Sequence, residues 1–195
     1  MTKRGNNIIG TLFIGLVIFI LIGFLIISRL KTGEESKYFN KEDQVGSKIL
    51  YENIIKISEE DYPNSPDKVV SLYTDGFKLL YGDKIKDMSI VENIIDKQRI
   101  LLSDEIVSSN SLEDQVNNVL ININNLKEHK IKITTIELKT ATYDSRDNKK
   151  AYVKVNKVDN LFQTYYYIYH LELEGDKWKI TGWYNTDENY NIIEQ

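Results

Sequence analysis

The side chains best equipped for chemistry lie in the last third of the chain, where Tyr165, Tyr166 and Tyr167 run consecutively and Tyr169 follows. On a strand, Tyr165, Tyr167 and Tyr169 share one face. Two readings of them stand open. Their hydroxyls line a pocket together with Tyr73 and Phe77 from a helix, a place for a small ligand, or the rings fill a core, since aromatic residues favour strands and pack across them. Tyr-rich sites that do proton chemistry pair the hydroxyl with a pocket acid or base. The inward positions of the last three strands, read as Val, Tyr, Leu, Trp and Ile, offer no carboxylate or histidine. A base would have to come from a helix, with Asp75 as the candidate.

The two histidines, His129 and His170, lack metal-ligand spacing. His129 lies at a helix end, where a cation suits the helix dipole. His170 falls on the polar face of its strand beside Glu172, and both read as surface residues. Asp144-Ser145-Arg146-Asp147-Asn148 resembles the start of a calcium loop. It lacks the glycine and the closing glutamate of that motif and reads as a hairpin turn. There is no cysteine, hence no disulfide and no thiolate. No catalytic, cofactor-binding or metal residue is expected, and no cofactor.

The elements that position these groups begin with an apolar run from Ile8 to Ile27 that carries no charge. About 20 helical residues span the ~30 Å hydrocarbon core of a bilayer. The run is longer than the h-region of a signal peptide, and Ser28-Arg29-Leu30-Lys31 offers no cleavage pattern. The expected layout is a tail at 1–7, a transmembrane helix at 8–28, a linker at 29–46 and an extracytoplasmic α+β domain at 47–195. Basic residues flank the helix on both sides. The short N-terminal tail and Glu34-Glu35 favour the N-terminus inside and the domain outside the cell. Lipid is thus one expected partner, through the helix. Thr11 and Gly15 form a single small-residue pair that would support self-association of the anchor.

The chain carries 25 Lys and Arg against 29 Asp and Glu; four of the bases and none of the acids fall in 1–31. The remainder therefore holds 21 against 29, a net charge of −8. Such a surface does not grip a phosphate backbone, so no nucleic-acid partner is expected.

Within the domain, Ile49, Leu50, Ile54, Ile55 and Ile57 form an apolar lead-in. Ser65 is placed to cap a helix whose first residue is Pro66. Val69, Val70, Tyr73, Phe77, Leu80 and Tyr81 recur at three- and four-residue spacing and predict a helix over 66–81. Ser89 opens a second at 90–102, and Ser111 opens a third carrying Leu112, Val116, Val119, Leu120, Ile123 and Leu126. After Lys130 the period drops to two. A parity slip near Thr134-Thr135 predicts a bulge. Ala151, Val153 and Val155 mark one strand and Tyr165 to Leu173 the next. Trp178, Ile180 and Gly182 mark the last, which puts Trp178 toward the helices and Trp183 away. Short turns between them imply an antiparallel meander of four strands, bent, with three helices on one face.

Helices followed by such a meander resemble the nuclear transport factor 2-like (cystatin-like) superfamily over roughly residues 62–184. Tyr62-Pro63-Asn64-Ser65-Pro66 with Val69-Val70 and Tyr73, the run Ile133-Thr134-Thr135-Ile136, and the ending Trp178-Lys179-Ile180-Thr181-Gly182-Trp183 are similar to an uncharacterised membrane-anchored protein family of Gram-positive anaerobes. The resemblance implies a cone-shaped fold and a single-pass bacterial membrane protein, and no catalytic residue. The functional expectation is a non-enzymatic binding or scaffold domain at the outer face of the membrane, with envelope proteins or a second copy as partners. The alternative is a small-ligand binder using the tyrosine-lined pocket. With two distant histidines and no cysteine, stability should not depend on metal. Chelator should leave the thermal midpoint unchanged, and a fall of several degrees that calcium or zinc reverses would contradict this.

Overall fold

The computed structural model describes residues 41–85 and 90–193, with side chains from residue 46 onward. The expected tail, transmembrane helix, most of the expected linker, and Ser89, the expected cap, lie outside the described residues. Among the described residues no helix is long and apolar enough to cross a membrane. These residues belong to one compact unit, Phe39–Gln195.

The chain forms α1 (Lys41–Ile55), α2 (Pro66–Tyr81), α3 (Ile90–Arg99), α4 (Asp104–Ser109) and α5 (Leu112–Glu128). Strands β1 (Ile133–Leu138), β2 (Thr142–Tyr143), β3 (Lys150–Asp159), β4 (Thr164–Glu174) and β5 (Lys177–Thr186) follow. The protein is thus α+β, with an open antiparallel sheet of five strands in the order β1-β3-β4-β5, and β2 also paired to β3. Helix α1 begins at Lys41, inside the segment read as linker, and α4 adds a short helix between the second and third expected ones. The fifth strand arises because the first is broken at Lys139–Ala141. Asp67 in the first turn of α2 accepts a hydrogen bond from the Ala141 backbone N–H (2.5 Å), which diverts that amide from the sheet.

Local chemistry explains where the elements start. Ser65, Ser103 and Ser111 each turn a side-chain oxygen onto a backbone N–H three residues on, at 3.5, 3.4 and 3.0 Å. Pro66 occupies the first helical position of α2, where a missing N–H is harmless. Between β4 and β5 only the first central residue of the two-residue turn, Gly175, has positive φ (65°), as a type II′ hairpin requires.

Helix α2 lies on the sheet against β1, β3 and β5, and α1 and α3 close over it. Val69, Val70, Leu79 and Leu80 of α2 meet Ile133, Val153, Val155, Leu171 and Ile180 of the sheet in one buried core. Gly76 lets α3 approach. A Cβ there would stand 2.5 Å from Gln98 Nε2, which donates to the Tyr73 carbonyl at 2.6 Å.

The segments Tyr62–Pro66 and Trp178–Trp183, far apart in sequence, meet in space. The Tyr62 hydroxyl donates to the Trp178 carbonyl at 2.6 Å. Lys177 and Lys179 lie over the Tyr62 ring, 5.5 and 4.8 Å from its centre, and both pair with Glu59. Lys179 also donates to the Ile100 carbonyl (2.6 Å). The open edge of β5 is covered at Ile180 by backbone bonds to Leu101 and Ser103 (both 2.9 Å) and at Asn185 by Ile193 (3.2 Å). Both bridges blunt an edge that would otherwise template further strands.

Two bulges set which side chains face inward. The first falls between Ile133 and Thr135, where the parity slip placed it. The second was not foreseen. Ile180 pairs Leu171 while Gly182 pairs His170, leaving Thr181 as the extra residue. One extra residue reverses the parity of all that follows. Trp183 therefore stands opposite Tyr169 on the inner face, not the outer, with its ring 6.0 Å from both Tyr73 and Tyr169. Trp178 shares that face but lies at its end, 5.7 Å from Tyr143, which is 54% exposed. Trp183 and Trp178 are both half-buried, but Trp183 packs on two inner rings, so Trp183→Ala should cost about 3 kcal/mol, the low end for a large aromatic, and Trp178→Ala less. Denaturant unfolding of the detergent-solubilised protein measures both, and the opposite ranking would refute this register.

Candidate functional site

Strand β3 alternates strictly, with Ala151, Val153, Val155, Lys157 and Asp159 turned inward. The inner face therefore carries a carboxylate, against the expectation of none, and a lysine besides. The signal was present: Lys157 and Asp159 continue the parity of Ala151, Val153 and Val155, past the last apolar residue that marks the strand. Hydrophobic alternation identifies a strand by its apolar side, so two charged residues on that side masked its last three positions.

Lys157 is 2% exposed. Its ammonium sits 3.6 Å from the centre of the Phe77 ring, 4.1 Å from Tyr167 and 5.7 Å from Tyr169. It stands between Ile136 of β1 and Tyr165 of β4 in the register. Among the described residues no carboxylate pairs with it and no hydrogen bond satisfies it. The negative faces of three rings offset part of the cost of removing the charge from water; a desolvated cation–π contact contributes about 2 kcal/mol. Burial still pushes the lysine down to about 7, with no charged neighbour to hold it up.

Asp159 is 1% exposed and serves the β3–β4 turn. One carboxylate oxygen accepts from the backbone N–H groups of Leu161 (2.8 Å) and Gln163 (2.9 Å), the other from the Tyr165 hydroxyl (3.0 Å). The carboxylate thus holds a turn in which Phe162 has φ 63° and is 89% exposed.

Of the five residues expected to line a pocket, four form one contiguous aromatic group. Tyr167 and Tyr169 are buried on β4, with Phe77 and Tyr73 facing them from α2 one turn apart. Tyr73 meets Tyr169 edge-on at 5.9 Å. Tyr165 sits at the rim, bound to Asp159. Phe77 continues to Tyr81 at 4.3 Å, and burial raises the Tyr81 hydroxyl to about 12. Burial likewise lifts Tyr73, Tyr167 and Tyr169 above the ordinary phenol range. Among the described residues, the hydroxyls of Tyr167 and Tyr169 make no hydrogen bond. Asp75 makes none with a tyrosine; burial raises its carboxyl, and Lys78 opposes that.

The outer face is aromatic too. His170 is half-buried rather than a free surface residue. Its ring lies between those of Tyr152 and Tyr184, 4.7 Å from each, and burial lowers it below the usual imidazole range while Glu172 opposes that. Beside this stack, Tyr190 meets Tyr166 at 5.9 Å, takes Lys154 over its ring at 4.4 Å, and donates to Asn156 Oδ1 at 2.6 Å. His129 caps α5, its backbone N–H reaching the Asn125 carbonyl. In the 144–148 turn, Asp144 and Asp147 accept from the backbones of Arg146 and Lys149. Among the described residues no group of three or more His, Asp or Glu is placed to hold a metal.

Fold and site together define an α+β domain whose sheet buries an aromatic inner face around a single lysine. Residues 1–183 match the family described as Domain of unknown function (DUF6715), and the chain belongs to that family. No curated protein matches it. Among solved structures it is similar to the intermembrane space region of the chloroplast protein ARC6. That match has 10% identity and a TM-score of 0.34, over 63% of this chain and 98% of that one. A likeness of that size carries no argument.

A lysine with a lowered folded value makes stability depend on pH. In the unfolded chain it titrates near ~10.4. Between about 7 and ~10.4 the unfolded state therefore holds the extra proton, and stability rises with pH across that window. Above it the contribution is complete; as pH falls through 7 it is lost. Lys157→Met should stabilise the protein by about 1–4 kcal/mol at pH 7, with the gain shrinking toward pH 10. Unfolding free energies at the two pH values decide it, and a gain independent of pH would contradict the assignment.

Proposed function

We propose that this protein is a membrane-anchored, non-enzymatic binding domain at the outer face of a bacterial cell membrane, holding a nuclear transport factor 2-like cone in contact with other envelope proteins. The apolar run at Ile8–Ile27 supports the anchor. The observation that favours a binding role is the outer sheet face. There Tyr152, His170 and Tyr184 stack across three strands with Tyr166 and Tyr190 beside them, while the helices cover the opposite face. Tyrosine is enriched where proteins meet, because it supplies apolar area and a polar tip with few rotatable bonds. An assembly role at the membrane fits this surface by fold-level analogy with single-pass proteins of conjugation and secretion channels.

A second reading, a small-ligand binder, is favoured by one specific observation: Lys157 is buried among rings with no counter-ion among the described residues.

The first reading predicts that protease added to intact, wall-stripped cells degrades the domain, and that cross-linking in membranes captures envelope proteins through the Tyr152–Tyr184 face. Digestion only after lysis would reverse the topology. Unchanged capture after Tyr152→Ser and Tyr184→Ser would remove the surface from the proposal.

A further inference from the structure

We infer that Lys157 anchors a site for the carboxylate of a small monoanionic acid with an apolar body, seated among Phe77, Tyr167 and Tyr169. The inference rests on the second reading above and names its ligand class.

A charged group taken out of water needs a partner. Lys157 is 2% exposed, and among the described residues it has neither a carboxylate nor a hydrogen-bond acceptor. Ring faces at 3.6 and 4.1 Å attract the cation but accept no strong hydrogen bond from it. The nearest acid on the same strand face, Asp159, already holds two backbone N–H groups and the Tyr165 hydroxyl. The protein thus presents an almost fully enclosed cation that has no protein counter-ion among the described residues.

The surroundings specify what would complement it. Tyr167 and Tyr169, on the same face, carry hydroxyls that make no hydrogen bond among the described residues, so donors are present besides the ammonium. The walls are aromatic, which favours an apolar body on the ligand. One cation balances one negative charge. A phosphate monoester would bring a second charge into the same apolar surroundings without a counter-ion. Phe77, the ring closest to the ammonium, is itself only half-buried, which puts α2 on the side from which a ligand would enter.

The test uses the full chain in detergent micelles, with benzoate and hexanoate against their neutral counterparts benzamide and hexanamide. Calorimetric titration and thermal shift at pH 6 read the outcome. The acids should bind at least about tenfold more tightly than the amides, equivalent to 1.4 kcal/mol, and Lys157→Met should abolish the difference. In the unmutated protein, acid binding should weaken about tenfold between pH 6 and pH 9 as the amine loses its proton. Tyr73, Tyr81, Tyr165, Tyr167 and Tyr169 stay neutral over that range, so this arm stands even if the variant fails to fold. Equal binding of acids and amides, retention of the acid preference by Lys157→Met, or binding of neither acid would each overturn the site. Envelope-protein capture through the outer face does not depend on these outcomes, so failure here and failure of the assembly reading are told apart.

Discussion

The packing of Tyr73 on α2 against Tyr169 and Trp183 of the sheet is the contact on which the other arrangements depend. Three large rings within about 6 Å of one another fix the distance between helix and sheet and the angle at which α2 crosses it. One turn farther along, the same helix presents Phe77 to Lys157. If α2 were to slide, the rings would separate and the ammonium would lose its nearest partner. The clasp of Tyr62 on Trp178, with Lys177 and Lys179 over its ring, secures the start of α2, and the bond from Ala141 to Asp67 ties the first turn to the opposite edge of the sheet.

This frame separates two kinds of polar residue. Asp159, Gln98 and Asp67 are buried or half-buried but satisfied: each has a backbone donor or acceptor that explains its place, and each locks one segment onto another. Lys157 differs, because its surroundings stabilise a cation only partly. A packed apolar residue at that position would give a more stable domain. Groups that depart from the packing optimum in this way are where function concentrates.

The two faces of the sheet then offer different chemistry to the surroundings. The inner face is enclosed and aromatic around one cation, suited to a small anion. The outer face is open and combines tyrosines with His170, suited to broad contact with another surface. Nothing in the sheet geometry couples them except the strands themselves, since each residue of β4 has its neighbours in sequence on the opposite face.

The amino-acid order by itself determined α2, α3, α5 and the four long strands, though not α4 or β2. Ser65-Pro66, Ser111 and the three- and four-residue spacing of Val69, Tyr73 and Phe77 act within a few residues, so they are readable locally. The same holds for the bulge at Thr134, where both parities are marked by isoleucines, and for the shared face of Tyr167 and Tyr169. Three features were decided only by tertiary structure. Trp183 faces inward because Thr181 is extra in its strand, and that depends on how β5 registers against β4. The break that makes β2 a separate strand comes from Asp67, 74 residues away. Lys157 was hidden because a charge on an apolar face looks like the end of a strand. Only the closure of α2 over the sheet turns that residue from a solvated lysine into a cation enclosed by rings.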